Sequence, residues 1–535
     1  MSKNNNFVKG AIVLSIAGVI VKILGALYRI PIGNIIKSEG MGYYSTAHPF
    51  YTLMLTIATA GFPVAIAKLV SEKRAIGDFK GAFRVFKIAL TLLTFGGIFS
   101  FLFLTFKAKD IVKSLENENA YYSLISLAPA LFFVPIMSAF RGFFQGQSNM
   151  FPTAISQIVE QLLRVSGGLF LTIYLLDKGI PIAAGGASFA GSIGAFFGCV
   201  IIIFIFLRKI GTIKEEIKLN PSEKEYPLND ILYDLMIIAI PITIGSAIVP
   251  IMDTIDAGIV LKRLQAINYS KEMANDMYGQ LKGYAQTLIN LPQVFSMAIG
   301  ISLVPAIASS YARNNKREVQ RTIGSGIRIT LLLGLPCAFG LFVLAKPIIE
   351  LLFFNNTDEV IRNTGEILKV LSFGVIFLTI TQTLTSILQG LGKPLIPVIN
   401  LIIGAGLKVI LTFVLTSIPS VNIKGAAIST VAAFATAAIL DLIILIKRFK
   451  IKLRYKDVFL KPFICALSMA VITSLSYSFL FRILNSRLTT VISILIGAFT
   501  YILLLIITKT ITEDDLSFIP KSEKVLKKVK SKTKE

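Results

Sequence analysis

Residues 143–165 read FFQGQSNMFPTAISQIVEQLLRV, and residues 387–409 read ILQGLGKPLIPVINLIIGAGLKV. An alignment without gaps pairs Gln145 with Gln389, Gly146 with Gly390, Arg164 with Lys408 and Val165 with Val409. The likeness continues outward. Gly186-Ala187 matches Gly425-Ala426, Ala65-Ile66-Ala67 beside Pro63 matches Ala306-Ile307-Ala308 beside Pro305, and Arg84 matches Arg328. Such similarity between two halves predicts parallel repeats related by an axis along the membrane normal.

The composition excludes a water-soluble protein. Of the 535 residues, 54% are hydrophobic and 16% are charged, and the mean hydropathy is +0.74. Soluble domains of this size do not have such a composition. Apolar runs of about 20 residues predict about fourteen membrane-spanning helices. They lie near residues 9–31, 43–70, 84–107, 121–146, 151–176, 181–208, 231–260, 281–309, 321–353, 364–391, 394–417, 421–447, 456–482 and 486–509.

The repeat groups these spans into lobes. Residues 1–208 are expected to form a first lobe of six helices, and residues 231–447 a second lobe of six. The polar residues 209–230 between them are expected to be a cytoplasmic linker. Two additional helices within 448–509 have no counterpart in the repeat, and a basic cytoplasmic tail follows at 510–535. The predicted fold class is therefore an all-α, multi-pass membrane protein.

Most of the positive charge is explained by membrane topology. The chain has 54 Lys and Arg against 30 Asp and Glu, a formal net charge of +24. If the N-terminus lies in the cytoplasm, about thirty cations fall on the cytoplasmic side and about a dozen on the other, which predicts that both termini are cytoplasmic. The lysines of the tail are expected to contact anionic membrane lipids. Nucleic-acid binding is not expected, because no folded basic module accompanies the tail.

The side chains needed for metal or nucleophile chemistry are scarce. There is one histidine, His48, and each of the three cysteines lies inside an apolar run. This is too little ligand chemistry for a zinc site, an iron–sulfur cluster or a Cys/His nucleophile. We therefore expect no metal, no resident cofactor and no enzymatic activity.

Two stretches resemble a known superfamily: SAFRGFFQGQSNMFPTAISQIVEQLLRV at 138–165 and YAQTLINLPQVFSMAIGISLVPAIASSYA at 284–312. Both resemble the SpoVB-like polysaccharide-transport branch of the multidrug/oligosaccharidyl-lipid/polysaccharide (MOP) exporters, and the second is also similar to the eighth helix of lipid II flippases. The resemblance extends over essentially the whole chain. It implies a V-shaped pair of lobes around a central cavity that carries an undecaprenyl-pyrophosphate-linked sugar across a bacterial cytoplasmic membrane. The two extra helices would form a groove for the lipid tail.

The first span carries cations on one small-residue face. Gly18, Lys22, Gly25 and Arg29 fall at i, i+4, i+7 and i+11 of one helix. A Lys or Arg at the membrane midplane costs about 2.5 to 3.5 kcal/mol. A water-filled cavity with an anionic ligand would offset that cost, and glycine would let a bulky headgroup approach. The competing interpretation is that the side chains reach the membrane interface, which suits Arg29 better than Lys22.

The resemblance extends to residues 22–29, KILGALYR, a segment whose basic residues in lipid II flippases are thought to meet the diphosphate. Those flippases also have interior arginines in helices 2 and 8, whereas this chain has LMLTIATAG at 53–61 and Gln286-Thr287. Other donors are therefore needed for a diphosphate. Arg164 and its repeat mate Lys408 are the candidates, with Arg141 and Lys282 behind them.

Acidic residues are few within the spans. Glu160 precedes Arg164 by four residues, a spacing that predicts an ion pair along one helix. Asp253 and Asp256 lie three apart near the outer end of the seventh span. They would bind Na⁺ or a proton during transport, or they mark the end of the helix. Glu160 is the third candidate for ion coupling.

Three classes of function remain open. The first is a monomeric flippase that moves lipid II, or a related polyprenyl-diphosphate sugar, to the outer leaflet by alternating access of its two lobes. The second is a cation-coupled multidrug exporter of the same superfamily, for which acidic and aromatic-lined lobes are expected. The third is a membrane scaffold or sporulation factor, which would leave the repeat and the cations within the spans unexplained. The basic face of the first span favours the flippase.

Overall fold

The regular structure of the chain is helical. A computed structural model describes residues 2–221, 226–451 and 454–510, and this part of the chain contains no strand. Its α-helices are α1 Ser2–Thr59, α2 Phe62–Ala75, α3 Phe79–Ser114, α4 Tyr121–Leu127, α5 Ala130–Gly146, α6 Phe151–Leu175, α7 Ile180–Leu219, α8 Leu228–Ala266, α9 Lys271–Tyr278, α10 Gln286–Ala312, α11 Lys316–Val343, α12 Ala345–Leu352, α13 Asp358–Gly390, α14 Leu395–Thr416, α15 Ile423–Lys447, α16 Lys461–Leu480 and α17 Ser486–Ile507. Two π-helical turns occur, at Gly279–Ala285 and Lys456–Leu460.

Thirteen helical stretches of the described chain are long and apolar enough to cross a membrane. The sequence predicts about fourteen spans. The difference arises because the first stretch, Ile16–Ala75, contains the first two predicted spans. Within it α1 is continuous except at Lys37, where φ is 57° and ψ is −172°. The predicted all-helical, multi-pass fold is thus confirmed, and Lys37 marks where the first two spans separate.

The predicted linker is shorter than its composition indicates. Helix α7 continues to Leu219, and α8 begins at Leu228. The first part of residues 209–230 is therefore a helical extension of the sixth span rather than an open connector. A long run of helix-compatible Lys, Glu and Ile residues after the apolar segment explains the extension. The basic tail predicted at 510–535 lies, beyond Thr510, outside the described residues.

Packing divides the chain into two compact units, one ending at Gly283 and one beginning at Tyr284. Helix α8 belongs to the first unit, where it packs against α1, α2 and α3. A close approach fixes it there: a Cβ on Gly61 would lie 2.1 Å from the carbonyl oxygen of Ala239. The Gly61 amide also donates to Thr243 Oγ1 at 3.1 Å. The lobes at 1–208 and 231–447 were defined by internal similarity, and that division stays a prediction.

Matched glycines make matched helix contacts inside each unit. In the first unit, a Cβ on Gly146 would lie 2.8 Å from the carbonyl oxygen of Ala67 on α2. In the second unit, a Cβ on its repeat mate Gly390 would lie 3.1 Å from the carbonyl oxygen of Val304 on α10. In both places a larger residue would separate the two helices. The aligned glycines thus allow the same close packing of two helices in each unit.

The second glycine pair behaves in the same way. A Cβ on Gly186 would lie 3.1 Å from the Leu171 carbonyl oxygen, where α7 meets α6. A Cβ on Gly425 would lie 2.6 Å from the Leu415 carbonyl carbon, where α15 meets α14. Leu171 and Leu415 are themselves aligned in the repeat. The repeat read from sequence therefore corresponds to repeated helix packing.

The two helices without repeat counterparts belong to the second unit. Helices α16 and α17 pack against each other, and α16 packs against α11. Pro336 within α11 has no N–H, so the carbonyl of Leu332 lacks its usual helical donor. The buried Tyr501 hydroxyl of α17 donates to this carbonyl at 2.9 Å. A side chain of α17 thereby satisfies the carbonyl that the proline leaves unpaired.

Candidate substrate-binding site

The first charged cluster of the site surrounds Lys282. Its ammonium lies 3.0 Å from Asp253 Oδ1 and 2.8 Å from Asp256 Oδ2. Arg29 Nη1 donates to the Lys282 carbonyl at 3.5 Å. Lys282 lies on the π-helical turn Gly279–Ala285, and such turns re-aim side chains and are frequent at functional sites. The cluster contains two cations and two carboxylates and is therefore formally neutral.

The two aspartates of this cluster have different surroundings. Asp256 is 2% exposed, whereas Asp253 is 40% exposed. The sequence treats them as an equivalent pair three residues apart. In the folded unit both hold the ammonium of Lys282, so a Na⁺ ion at these carboxylates would have to replace that ammonium. Their proposed part in ion coupling stays a prediction.

The second charged cluster carries a net positive charge. Glu160 Oε2 accepts from Arg141 Nη2 at 3.0 Å, and Glu160 Oε1 accepts from Arg164 Nη2 at 3.3 Å. Arg141 Nε also donates to Ser156 Oγ at 2.9 Å. The Glu160–Arg164 pair that the spacing predicts is present. Arg141, from the neighbouring helix α5, is its second partner, so one carboxylate serves two guanidinium groups.

Close packing of α6 and α7 holds Arg164 in place. A Cβ on Gly194 would lie 2.4 Å from the Glu160 carbonyl oxygen, and one on Gly191 would lie 3.9 Å from Arg164 Nε. That Nε is buried and makes no hydrogen bond within the described residues. Arg164 thus has a free donor in addition to the one that it gives to Glu160.

The basic face of α1 lies beside α6. A Cβ on Gly25 would lie 3.3 Å from Gln161 Nε2, the neighbour of Glu160 in sequence. A Cβ on Gly18 would meet no atom within 4 Å, and Lys22 is exposed. Arg29, two turns further along, reaches the Lys282 turn. One face of α1 therefore extends from the Glu160 helix to the Lys282 cluster.

Aromatic rings join these two clusters, and sequence reasoning did not identify most of them. The Arg29 guanidinium lies 5.9 Å from the Tyr44 ring centroid. The His48 ring lies 5.8 Å from both Tyr44 and Tyr51. Tyr51 in turn neighbours Arg164. In the sequence, Tyr44, His48 and Tyr51 are spaced i, i+4 and i+7, which predicts that the three rings share one helical face. This face belongs to the site only because the break at Lys37 places it beside the first part of α1.

Lys408 belongs to the second unit and the other predicted site residues to the first. It lies on α14 and is 5% exposed. Nearby in sequence, Asn400 Nδ2 donates to Asp441 Oδ1 at 2.7 Å, which joins α14 to α15. The first unit thus brings together six of the named residues around α1, namely Gly25, Arg29, Glu160, Arg164, Asp253 and Asp256. Gly18 and Lys22 extend this group along α1.

Two protein-family models match the chain. A model described as "Polysaccharide biosynthesis protein" matches residues 7–311, more than half of the chain. The chain belongs to this polysaccharide biosynthesis protein family. A second model, MatE, matches residues 282–414 of this family member. The superfamily resemblance seen at 138–165 and 284–312 is thereby confirmed.

Relatives of this family member include named proteins of Bacillus subtilis (strain 168). Stage V sporulation protein B is 29% identical over 528 residues, 96% of this chain and 98% of that protein. Lipid II flippase MurJ is 28% identical over 458 residues, 83% of each protein. A solved structure of lipid II flippase MurJ in an inward closed conformation has a TM-score of 0.71 at 17% identity, covering 93% of this chain and 98% of that one. The last comparison shows a shared fold.

Proposed function

We propose that this protein is a flippase for a lipid-linked cell-wall precursor. The substrate class is lipid II or another undecaprenyl-pyrophosphate-linked sugar, moved from the inner to the outer leaflet for peptidoglycan or polysaccharide synthesis. The relatives named as a lipid II flippase and a sporulation protein support this class. The protein would act as a monomer in the bacterial cytoplasmic membrane with both termini in the cytoplasm.

One observation carries the proposal. Arg141 and Arg164 share the single carboxylate of Glu160, and Arg164 Nε is buried without a hydrogen-bond partner in the described chain. Unpaired positive charge within a membrane span is unfavourable unless an anion or water compensates it. A diphosphate accepts several N–H donors at once, and guanidinium groups match its geometry. We therefore assign Arg164 as a principal diphosphate contact.

The basic face of α1 would complete this contact. Lys22 is exposed and lies two turns from Arg29, so both can contribute charge along one side of a headgroup. Gly18 and Gly25 would provide the room that a sugar diphosphate needs. In the second unit, Lys408 would take the position that Arg164 has in the first repeat.

Alternating access requires helices that can bend. Pro241 and Pro250 interrupt α8, and Pro292 and Pro305 interrupt α10. Each proline removes one helical hydrogen bond and so provides a bending point. Transport would be driven by the membrane potential, or by a Na⁺ ion or proton that exchanges with Lys282 at Asp253 and Asp256.

A cation-coupled multidrug exporter is the second candidate. The match of residues 282–414 to the MatE model favours it, together with the carboxylate pair Asp253 and Asp256, which could accept a cation. This candidate leaves the positive cluster at Arg164 and the basic face of α1 without a ligand. We therefore rank it below the flippase.

Complementation tests the proposal. A strain depleted of its lipid II flippase would express the parent protein or Lys22→Ala, Arg29→Ala or Arg164→Ala at equal levels. The control is Lys107→Ala, which removes an exposed cation paired with Asp110 on α3. We expect the parent and the control to restore growth and labelled lipid II transport, and Arg164→Ala to reduce transport most. Transport by all three variants at the parental rate would refute the diphosphate site. A parent that fails to complement but confers resistance to cationic dyes would support the exporter.

A further inference from the structure

Four arginines line a cavity at one end of the second unit. The cavity has a volume of about 860 Å³ and lies at the start of α11, bounded on its other side by the segment before α16. Its basic residues are Arg317, Arg321, Arg328 and Arg454. From the sequence alone, Arg317, Arg321 and Arg454 count only among the cytoplasmic loop charges. The fold instead collects all four around one space.

The arginines of α11 share one helical face. Arg317, Arg321 and Arg328 fall at i, i+4 and i+11, and Gly324 lies between them on the same side. A Cβ on Gly324 would meet no atom within 4 Å, so the glycine leaves the centre of this face open. Arg328 is 8% exposed, so the cavity extends from solvent to a nearly buried guanidinium. This alternation of cations with a small residue resembles the face of α1.

Acidic side chains at this cavity are already engaged. Glu318 is the one carboxylate among the described lining residues, and it is bound by Asn315 at 2.9 Å and Arg313 at 3.3 Å. Asp457, next to the lining residue Val458, is bound by Lys461 at 2.9 Å and also interacts with Arg328 and Arg454 of the cavity. Even with Glu318 and Asp457 counted, the four arginines leave the cavity with a formal excess of positive charge. The amino end of α11 adds to that excess through the positive end of the helix dipole.

An apolar groove adjoins the arginine cavity. It has a volume of about 670 Å³ and is lined by residues of α11, α13, α15 and the start of α16. Consecutive residues of the same two segments line the two spaces. Arg328 lines the cavity and Ile327 lines the groove; Val458 lines the cavity and Phe459 lines the groove. A ligand with an anionic head and an apolar chain would contact both.

We propose that the arginine cavity binds the phosphate headgroup of an anionic phospholipid whose acyl chains lie in the adjoining groove. Clustered arginines match phosphate oxygens through paired N–H donors. The leaflet is the cytoplasmic one in the orientation predicted above. The ligand is a resident lipid and not the transported one, and the inference does not depend on the proposed function.

Native mass spectrometry of the purified full chain tests this site. The protein in a neutral detergent is mixed with phosphatidylglycerol, phosphatidylcholine, polyprenyl diphosphate or sodium pyrophosphate. The variants are Arg317→Ala/Arg321→Ala, which removes charge, and Gly324→Leu, which fills the open space without changing charge. Arg448→Ala is the matched control, since it removes an exposed arginine outside the cavity. We expect the parent and the control to retain one phosphatidylglycerol, and both cavity variants to lower its affinity at least about tenfold.

Four results would overturn the proposal. They are equal retention of phosphatidylcholine, parental retention of phosphatidylglycerol by both cavity variants, equal affinity for free pyrophosphate, and retention of polyprenyl diphosphate alone. The third would indicate a site for a soluble anion, and the fourth a site for the transported lipid. Because Gly324→Leu replaces glycine by a better helix former, unfolding does not explain a loss of binding by that variant. Transport by the cavity variants, measured separately, distinguishes failure of this site from failure of the proposed function.

Discussion

Removal of Lys282 alone should destabilise the first unit more than removal of Lys282 together with its two carboxylate partners. The ammonium contacts Asp256, which is 2% exposed, at 2.8 Å and Asp253, which is 40% exposed, at 3.0 Å. Loss of one partner of a buried ion pair costs about 3 to 5 kcal/mol, because the other charge is left without compensation. The half-exposed Asp253 contact adds less than about 1 kcal/mol. We therefore expect Lys282→Met to lower the free energy of unfolding by about 3 to 5 kcal/mol, mostly through Asp256.

The neutral triple variant separates this explanation from simple loss of contacts. Lys282→Met with Asp253→Asn and Asp256→Asn removes the ammonium together with both of its carboxylate partners, so no buried carboxylate is left without its cation and the cost should be about 1 to 2 kcal/mol. Asp256→Asn alone should cost several times more than Asp253→Asn alone. The assay is reversible denaturant unfolding in mixed micelles, with the double-mutant cycle computed from the single and combined variants. Additive effects, or equal effects of the two aspartate substitutions, would refute the reasoning.

Three further outcomes follow from particular contacts, each measurable as a shift in unfolding free energy. Gly425→Ala should lower the free energy of unfolding by about 1 to 3 kcal/mol, because the added Cβ would overlap the backbone of α14. Gly406→Ala, with open space around it, should be neutral or stabilising. Equal effects of the two substitutions would contradict this explanation. Tyr501→Phe should cost about 1 to 3 kcal/mol because the buried Leu332 carbonyl loses its donor, and an unchanged stability would show that another group replaces it. Arg141→Ala should lower the free energy of unfolding by about 1.5 to 3 kcal/mol, because the charged hydrogen bonds to Ser156 and Glu160 are lost. If the loss is no larger than that from removing an exposed ion pair, the shared-carboxylate geometry is wrong.

Much of the fold could be predicted because its signals lie along one helix at a time. Apolar runs located the membrane spans to within a few residues at most boundaries. The aligned glycines at 146 and 390 identified the repeat, and both turned out to be places where helices touch. The spacing of Glu160 and Arg164 predicted their ion pair, since residues four apart on a helix are neighbours. The extension of α7 to Leu219 was missed, because hydropathy marks the end of an apolar segment and not the end of a helix.

The candidate site needed more than the sequence. Which helix supplies a second partner to a charged side chain depends on how the helices rotate and pack, and no pattern within one helix specifies it. The sequence ranked Arg141 and Lys282 behind other donors. Packing instead places Arg141 on the shared carboxylate of Glu160, and Lys282 between two aspartates.

The amino-acid sequence by itself determined that the chain lies in a membrane, how many spans it has, that it contains a repeat and which family it resembles. These properties depend on composition and on spacing within helices. The tertiary structure alone decided the partners of each charge. In the folded chain, Asp256 is a buried ion-pair partner of Lys282 and Asp253 is half exposed, although the two lie three residues apart on one helix. It also gathered Arg454 with three arginines more than 120 residues away in the chain. The physical reason is that burial and charge compensation are properties of contacts between helices, and those contacts exist only after the chain has folded.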